Sequence, residues 1–263
     1  MQEEKVILTE ANIASSCRSF HKPGEYLLLP RSNRVAHALP HFEGVDVQVL
    51  ASPELGTEFV QHELIIQPNG KTIKPLNKAL EHFLYILEGE LDFILDGKKH
   101  HMVQGGFCWL PPGSNFEFEN KSEEVTRLTW MQRYYQKVDG VPIPDAIIAN
   151  EKDVEAEPVD TYMEQHLTPY EDIGFDMGIN LQVFDPGVHF SFVETHVIEH
   201  GLYMLYGSGL YWLNGDYMEV EKDDFIYLAA YCPQFFYPMG HDKSAYLLYK
   251  DVNRDYTFGL SER

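Results

Sequence analysis

Basic side chains are few. The 263-residue chain has 20 Lys and Arg against 41 Asp and Glu, a formal net charge of −21. A surface of that sign repels phosphate backbones, which argues against nucleic acid and anionic membranes as partners. Solubility is the simplest use of such acidity. Cysteine is scarcer still: Cys17, Cys108 and Cys232 are far apart, odd in number and form no C-x-x-C pair. That pattern fits a reducing compartment and small buried thiols, not a disulfide framework. Long apolar runs are also missing. No stretch reaches the ~20 residues of a membrane span, and the opening "MQEEKVILTEANIASS" holds no apolar segment of signal-peptide length. The expectation is a soluble, cytoplasmic protein acting on a small molecule.

Aromatic and apolar residues, by contrast, are plentiful. Hydrophobic content is 44%, with 16 Tyr and 16 Phe, as in a folded globular protein. The length allows one large domain or two ordinary ones. Two stretches settle which. "EHFLYILEGELDFILDGKKHHMVQGGFCWLPPG", from Glu81, overlays "EHGLYMLYGSGLYWLNGDYMEVEKDDFIYLAAY", from Glu199, at a constant offset of 118 residues without a gap. His82 falls on His200, Tyr85 on Tyr203, Gly89 on Gly207, Gly97 on Gly215 and Phe107 on Phe225. A repeat this long is a duplicated domain rather than a solenoid.

Each copy reads as short strands, rich in aromatic and branched residues and broken by turn residues. Asp96-Gly97 and Asn214-Gly215 are the signal for two-residue type I′ hairpins. The fold class expected is all-β: two tandem barrels or jelly rolls. Residues 1–137 make the first unit and residues 161–263 the second; the Pro-rich, acidic residues 138–160 link them.

One run needs separate treatment. His196-Val197-Ile198-Glu199-His200 matches H-x-x-E-H, a zinc-peptidase helix pattern. Gly201 follows at once, and Pro186, Gly187 and three valines precede it, which suits a strand and its turn rather than a helix. On a strand, Glu194, His196, Ile198 and His200 share one side and Glu199 points away.

These features resemble the cupin family, and the duplication a bicupin. In the first copy, "GGFCWLPPGSNFEFEN" keeps the second cupin motif from Gly105 to Asn120, with Phe116 at its His position. The other ligand positions there are Leu76, Lys78 and His82, so the resemblance implies a metal-free, structural first unit. In the second copy the same four positions are Glu194, His196, His200 and Gln234. A carboxylate, two imidazoles and an amide oxygen would suit Mn²⁺ or Fe²⁺; the alternative is a structural polar cluster.

The Glu-x-His-x-x-x-His plus Gln set is similar to that of the (S)-ureidoglycine aminohydrolases, manganese bicupins. "GFDMGINLQVFDPGVHFSFVETHVIEHG" and "YLLYKDVNRD" resemble them too. The resemblance implies hydrolytic deamination of a ureido amino acid in allantoin breakdown, with Mn²⁺ on the four ligands. It implies Glu194 and Lys250 as catalytic groups, and Tyr211, Tyr246 and Lys250 as substrate contacts. Lys250 could instead be a surface lysine, and the tyrosines barrel packing. Two other functions stay open: a metal-dependent cupin dioxygenase or isomerase, and a non-catalytic ligand-binding cupin. A homo-oligomer is expected, because cupins cover sheet edges by pairing subunits.

Overall fold

The computed structural model describes residues 18–251, so Cys17 lies outside the described residues. Regular structure among them is strand, apart from three single-turn 3-10 segments. β1 (Phe20–Lys22) and β2 (Tyr26–Leu29) come first, then β3 (Ala36–His37), β4 (Phe42–Ala51) and β5 (Val60–Thr72). Six strands follow closely: β6 (Leu80–Glu88), β7 (Glu90–Leu95), β8 (Lys98–Val103), β9 (Gly106–Leu110), β10 (Phe116–Glu119) and β11 (Thr126–Tyr134). β12 (Ile147–Asn150), β13 (Glu157–Val159), β14 (Tyr162–His166) and β15 (Gly178–Phe184) lead to a second six. These are β16 (His200–Tyr206), β17 (Ser208–Leu213), β18 (Asp216–Glu221), β19 (Phe225–Leu228), β20 (Gln234–Met239) and β21 (Ser244–Lys250).

The two sets of six match. Glu90 and Ser208, Lys98 and Asp216, Phe116 and Gln234, and Thr126 and Ser244 open equivalent strands, each pair 118 residues apart. Both expected hairpins close with two-residue loops, Leu95 opposite Lys98 and Leu213 opposite Asp216. Their central residues have positive φ (Asp96 47°, Gly97 81°; Asn214 45°, Gly215 99°), the backbone that the type I′ turn demands.

Pairing is antiparallel throughout, and it does not follow the expected unit limits. The first barrel's sheet runs β12-β9-β6-β11-β5-β10-β7-β8, with β4 on β5 and β3 on β4. The second has β1-β2-β19-β16-β21-β15-β14-β13, faced by β18-β17-β20. Thus β2, from the N-terminal part of the chain, pairs with β19 of the second barrel (Leu27 opposite Tyr227). β12, within residues 138–160, pairs with β9 of the first (Ile147 opposite Trp109). The segment expected to be a linker therefore contributes a strand to each barrel. A strand of four residues between prolines has too few positions for an alternation to show.

Period-2 alternation then sorts side chains into three cores. On β6, β9, β11, β16, β19 and β21, one face looks into its own barrel and the other packs between the barrels. Leu84, Ile86, Cys108, Leu128 and Trp130 fill the first barrel. Leu202, Met204, Ile226, Tyr246 and Leu248 line the second. Phe83, Phe107, Trp109, Met131, Tyr203, Tyr227, Leu247 and Tyr249 form a shared middle core. Fully burying one such Leu or Phe stabilises by about 1.5–3 kcal/mol. Gly201 is required here, because a Cβ would stand 2.9 Å from Phe59 Cζ. Cys108 and Cys232 are free and buried.

Candidate metal and substrate site

The second barrel keeps a cavity of about 880 Å³, and Glu194, His196, His200, Gln234, Tyr246 and Lys250 all line it. Strand register sets four of them. His200 opens β16 directly opposite Lys250 on β21, and Tyr246 lies four residues earlier on the same face. Gln234 opens β20, and Leu213 is its neighbour across β17.

Residues 185–199 differ from expectation. They are not a strand: Pro186 and Gly187 (φ 77°) form a turn, and only Glu194 makes an isolated bridge, to Gln234. The two exchange backbone hydrogen bonds of 2.9 Å each way, and Tyr231 N–H donates to His196 O at 2.6 Å. Strand alternation therefore does not align Glu194 and His196. Backbone clamps to the β19–β20 loop hold them instead. Glu199 faces away as expected, accepting from Glu58 N–H (2.8 Å) and the Tyr227 hydroxyl (2.9 Å). Burial raises its carboxyl to about 7.

His200 is buried, and burial first, then His196 and Lys250, lowers its pKa to about 3, so the ring is neutral. Its Nδ1–H donates to Glu199 O at 2.9 Å, which leaves Nε2 as the lone-pair nitrogen. His196, 43% exposed at the side chain, hydrogen-bonds through Nε2 to Glu194 Oε2 at 3.2 Å. The Tyr211 hydroxyl donates to Gln234 Oε1 at 2.7 Å, fixing the amide with its oxygen held in place. Burial pushes the hydroxyls of Tyr211 and Tyr246 well up, so both stay protonated donors. Tyr211 and Tyr246 are thus both core residues and polar donors. The Lys250 ammonium sits 5.3 Å from the Tyr170 ring centroid at the cavity wall.

The equivalent place in the first barrel is closed. Trp130 Nε1–H donates to His82 Nδ1 (3.3 Å), and His82 Nε2 meets Asn77 O (3.1 Å). Both ring nitrogens are committed. Phe116, at the position of Gln234, lies edge-on to His82 with centroids 5.0 Å apart. Phe42, Phe93 and Phe118 pack the rest of the interior.

Sequence reasoning missed a polar group that also lines the second cavity, Glu164 and His166 on β14 and Asn180 and Gln182 on β15. Cross-strand pairing sets Glu164 beside Gln182, and Gln182 beside Tyr246. The available signal was polar residues at alternate positions in "GINLQVF" and "YMEQH", where inward-facing apolar residues belong.

With this geometry in view, the chain's relatives can be placed. The cupin-domain family model matches residues 62–132. The Escherichia coli (S)-ureidoglycine aminohydrolase is 33% identical over 243 residues, covering 90% of this chain and 92% of that protein. A probable (S)-ureidoglycine aminohydrolase of Oryza sativa is 30% identical over 241 residues, covering 90% of this chain and 76% of the relative. A crystal structure of a putative glyoxylate-induced protein from Pseudomonas aeruginosa superposes with a TM-score of 0.83 at 37% identity, covering 92% of this chain and 93% of that one. The chain therefore belongs to the (S)-ureidoglycine aminohydrolase family, built on the cupin fold.

Proposed function

We propose that this chain hydrolyses (S)-ureidoglycine to (S)-ureidoglycolate and ammonia in the cavity of the second barrel. The observation that carries the proposal is the gathering of Glu194, His196, His200, Gln234 and Lys250 on one cavity. The chain's 33% identity to a named (S)-ureidoglycine aminohydrolase over nine-tenths of its length supports it.

The donor set fits a divalent ion in kind. It offers one carboxylate, one imidazole already neutral with its other nitrogen committed, a second imidazole, and an amide oxygen held by Tyr211. Such oxygen and nitrogen ligands suit Mn²⁺. Among the described residues no three His, Cys, Asp or Glu side chains stand in ligating arrangement as placed. His196 Nε2 and Glu194 Oε2 stand 3.2 Å apart at the mouth of the set. We assign Glu194, His196, His200 and Gln234 as the holders of Mn²⁺. Bound there, the ion would supply Lewis acidity and a chelation point that exposes one face of the substrate.

The chain's own groups do the rest. The Lys250 ammonium pairs with the substrate carboxylate and so orients the reacting carbon. Glu194 accepts a proton from the attacking water and returns it to the leaving nitrogen. One C–N bond breaks, one C–O bond forms, and the amine departs as ammonia. Tyr246, which lines the cavity, positions the substrate. The first barrel, its histidine committed and its interior packed, serves as scaffold. No helix among the described residues is long and apolar enough to cross a membrane. The free, buried Cys108 and Cys232 support work in the reducing cytoplasm, and β18, last in its sheet among the described residues, supports a homo-oligomer.

The test is ammonia release from freshly generated ureidoglycine by metal-stripped protein, with and without Mn²⁺, with product chirality read in the same run. Mn²⁺-dependent release of the (S) product, lost in His196→Ala, is expected. Metal binding without acceleration would leave a cupin enzyme with a different substrate.

A further inference from the structure

Glu164 lines the same cavity as Glu194 but is not among the proposed ligands. It is 6% exposed, and among the described residues no Lys or Arg forms an ion pair with it; only His166 Nδ1 approaches, at 3.5 Å. A buried carboxylate without a cation is costly unless hydrogen-bond donors surround it.

Two amides supply some of those donors, and their orientation is forced. The Tyr246 hydroxyl donates to Gln182 Oε1 at 2.5 Å, so the Gln182 Nε2 side turns to Glu164 Oε2, with which it hydrogen-bonds. Asn180 Oδ1 faces His166 Nδ1 at 3.2 Å, and Asn180 Nδ2 donates to Glu164 Oε1 at 2.9 Å. Each carboxylate oxygen thus takes one amide donor. An ionised carboxylate has about four acceptor sites, so about two remain. They lie on a side chain that lines the cavity.

A monosubstituted urea matches that vacancy. Its inner N–H and one N–H of its terminal NH₂ point the same way, a two-pronged donor like the fork of a guanidinium. We propose that Glu164, held by Asn180 and Gln182, is the specificity-determining residue that binds the ureido end of the substrate through paired N–H donors. The inference rests on the deamination assigned above, and it divides the cavity in two. Lys250 takes the carboxylate, and Glu164 takes the urea. Tyr162, on the same strand as Glu164, lies within electrostatic reach of both Glu164 and Glu194, and all three line one cavity with Lys250.

The probes are N-carbamoylglycine, which carries the urea and carboxylate but no leaving amine, and N-acetylglycine, in which methyl replaces the terminal NH₂. Calorimetric titration of the Mn²⁺-supplemented wild type is expected to favour the carbamoyl compound by roughly tenfold or more, the usual range for a hydrogen bond to a charged group. In Glu164→Gln that preference should fall to within about threefold, while N-acetylglycine binds as before. Equal weakening of both probes would mean a structural role and overturn the proposal, as would a wild type that does not distinguish them. Should Glu164→Gln fail to fold, Asn180→Ser, which releases Oε1 from its amide, must still reduce the preference; an unchanged preference there also overturns it. A wild type that prefers the carbamoyl probe yet releases no ammonia from ureidoglycine would remove the deamination and keep the urea site.

Discussion

Replacing Glu63 by Gln should be among the most destabilising conservative changes in the molecule. The Glu63 side chain is fully buried and bridges the two barrels. Oε1 accepts from Arg127 Nε at 2.8 Å, and Oε2 from Arg34 Nη1 at 2.5 Å and the Tyr203 hydroxyl at 2.7 Å. Arg127 Nη2 also reaches Asp223 Oδ1 at 2.9 Å. With Arg127–Glu88 (3.2 Å) and Arg31–Asp223 (3.4 Å) at the rim, three guanidiniums are balanced by three carboxylates. Glu63→Gln keeps the shape but leaves one positive charge uncompensated beside a fully buried Arg34 side chain. Breaking a buried pair from one side costs about 3–5 kcal/mol. At roughly 2–4 °C per kcal/mol for a chain of this size, the melting midpoint should fall by about 6–20 °C. The control is Asp185→Asn, which breaks the Lys243–Asp185 pair (2.9 Å), more than half exposed on both sides; its effect should stay within about 1 kcal/mol. Differential scanning fluorimetry and urea unfolding read both variants. A Glu63→Gln protein within 1 kcal/mol of wild type would refute the assignment of this network as the clamp between barrels.

Three further outcomes follow from the fold and site. Deleting residues 1–30 removes β2 and bares the β19 edge at Phe225–Leu228; the protein should be insoluble or molten, and a soluble chain with wild-type near-UV dichroism would contradict the strand exchange. Tyr211→Phe frees Gln234 Oε1, and Mn²⁺ affinity by electron paramagnetic resonance should drop about tenfold, as when an outer hydrogen bond to a metal ligand is lost; unchanged affinity would remove Gln234 from the ligand set. Burial, then Asp176, raises the Glu81 carboxyl to about 8, above its ordinary 4.5. A raised acid favours the folded state while protonated, so that contribution is intact below pH 4.5 and is lost as pH rises to 8. Glu81→Gln should flatten the stability–pH curve across that window; equal slopes in mutant and wild type would refute it.

Much of this protein was written locally. The duplication, the all-β class and the two type I′ turns rest on periodicity and on dipeptides such as Asn214-Gly215, whose backbone preferences act within a few residues. The face of β16 that carries His200 and Leu202, and the opposite face that carries Tyr203, follow from the same alternation. Tertiary structure decided the rest. β2 lies on β19 because Leu27 meets Tyr227, 200 residues away, and no local property announces so distant a pairing. Residues 185–199 are a clamped loop because Glu194 and His196 find backbone partners, Gln234 and Tyr231, in another segment. His82 and His200 are equivalent in sequence yet unlike in chemistry. Trp130 and Asn77 use up both nitrogens of the first, whereas only Glu199 O holds the second. Whether a histidine can ligate depends on which groups surround it in space, and those surroundings exist only once the barrels have closed.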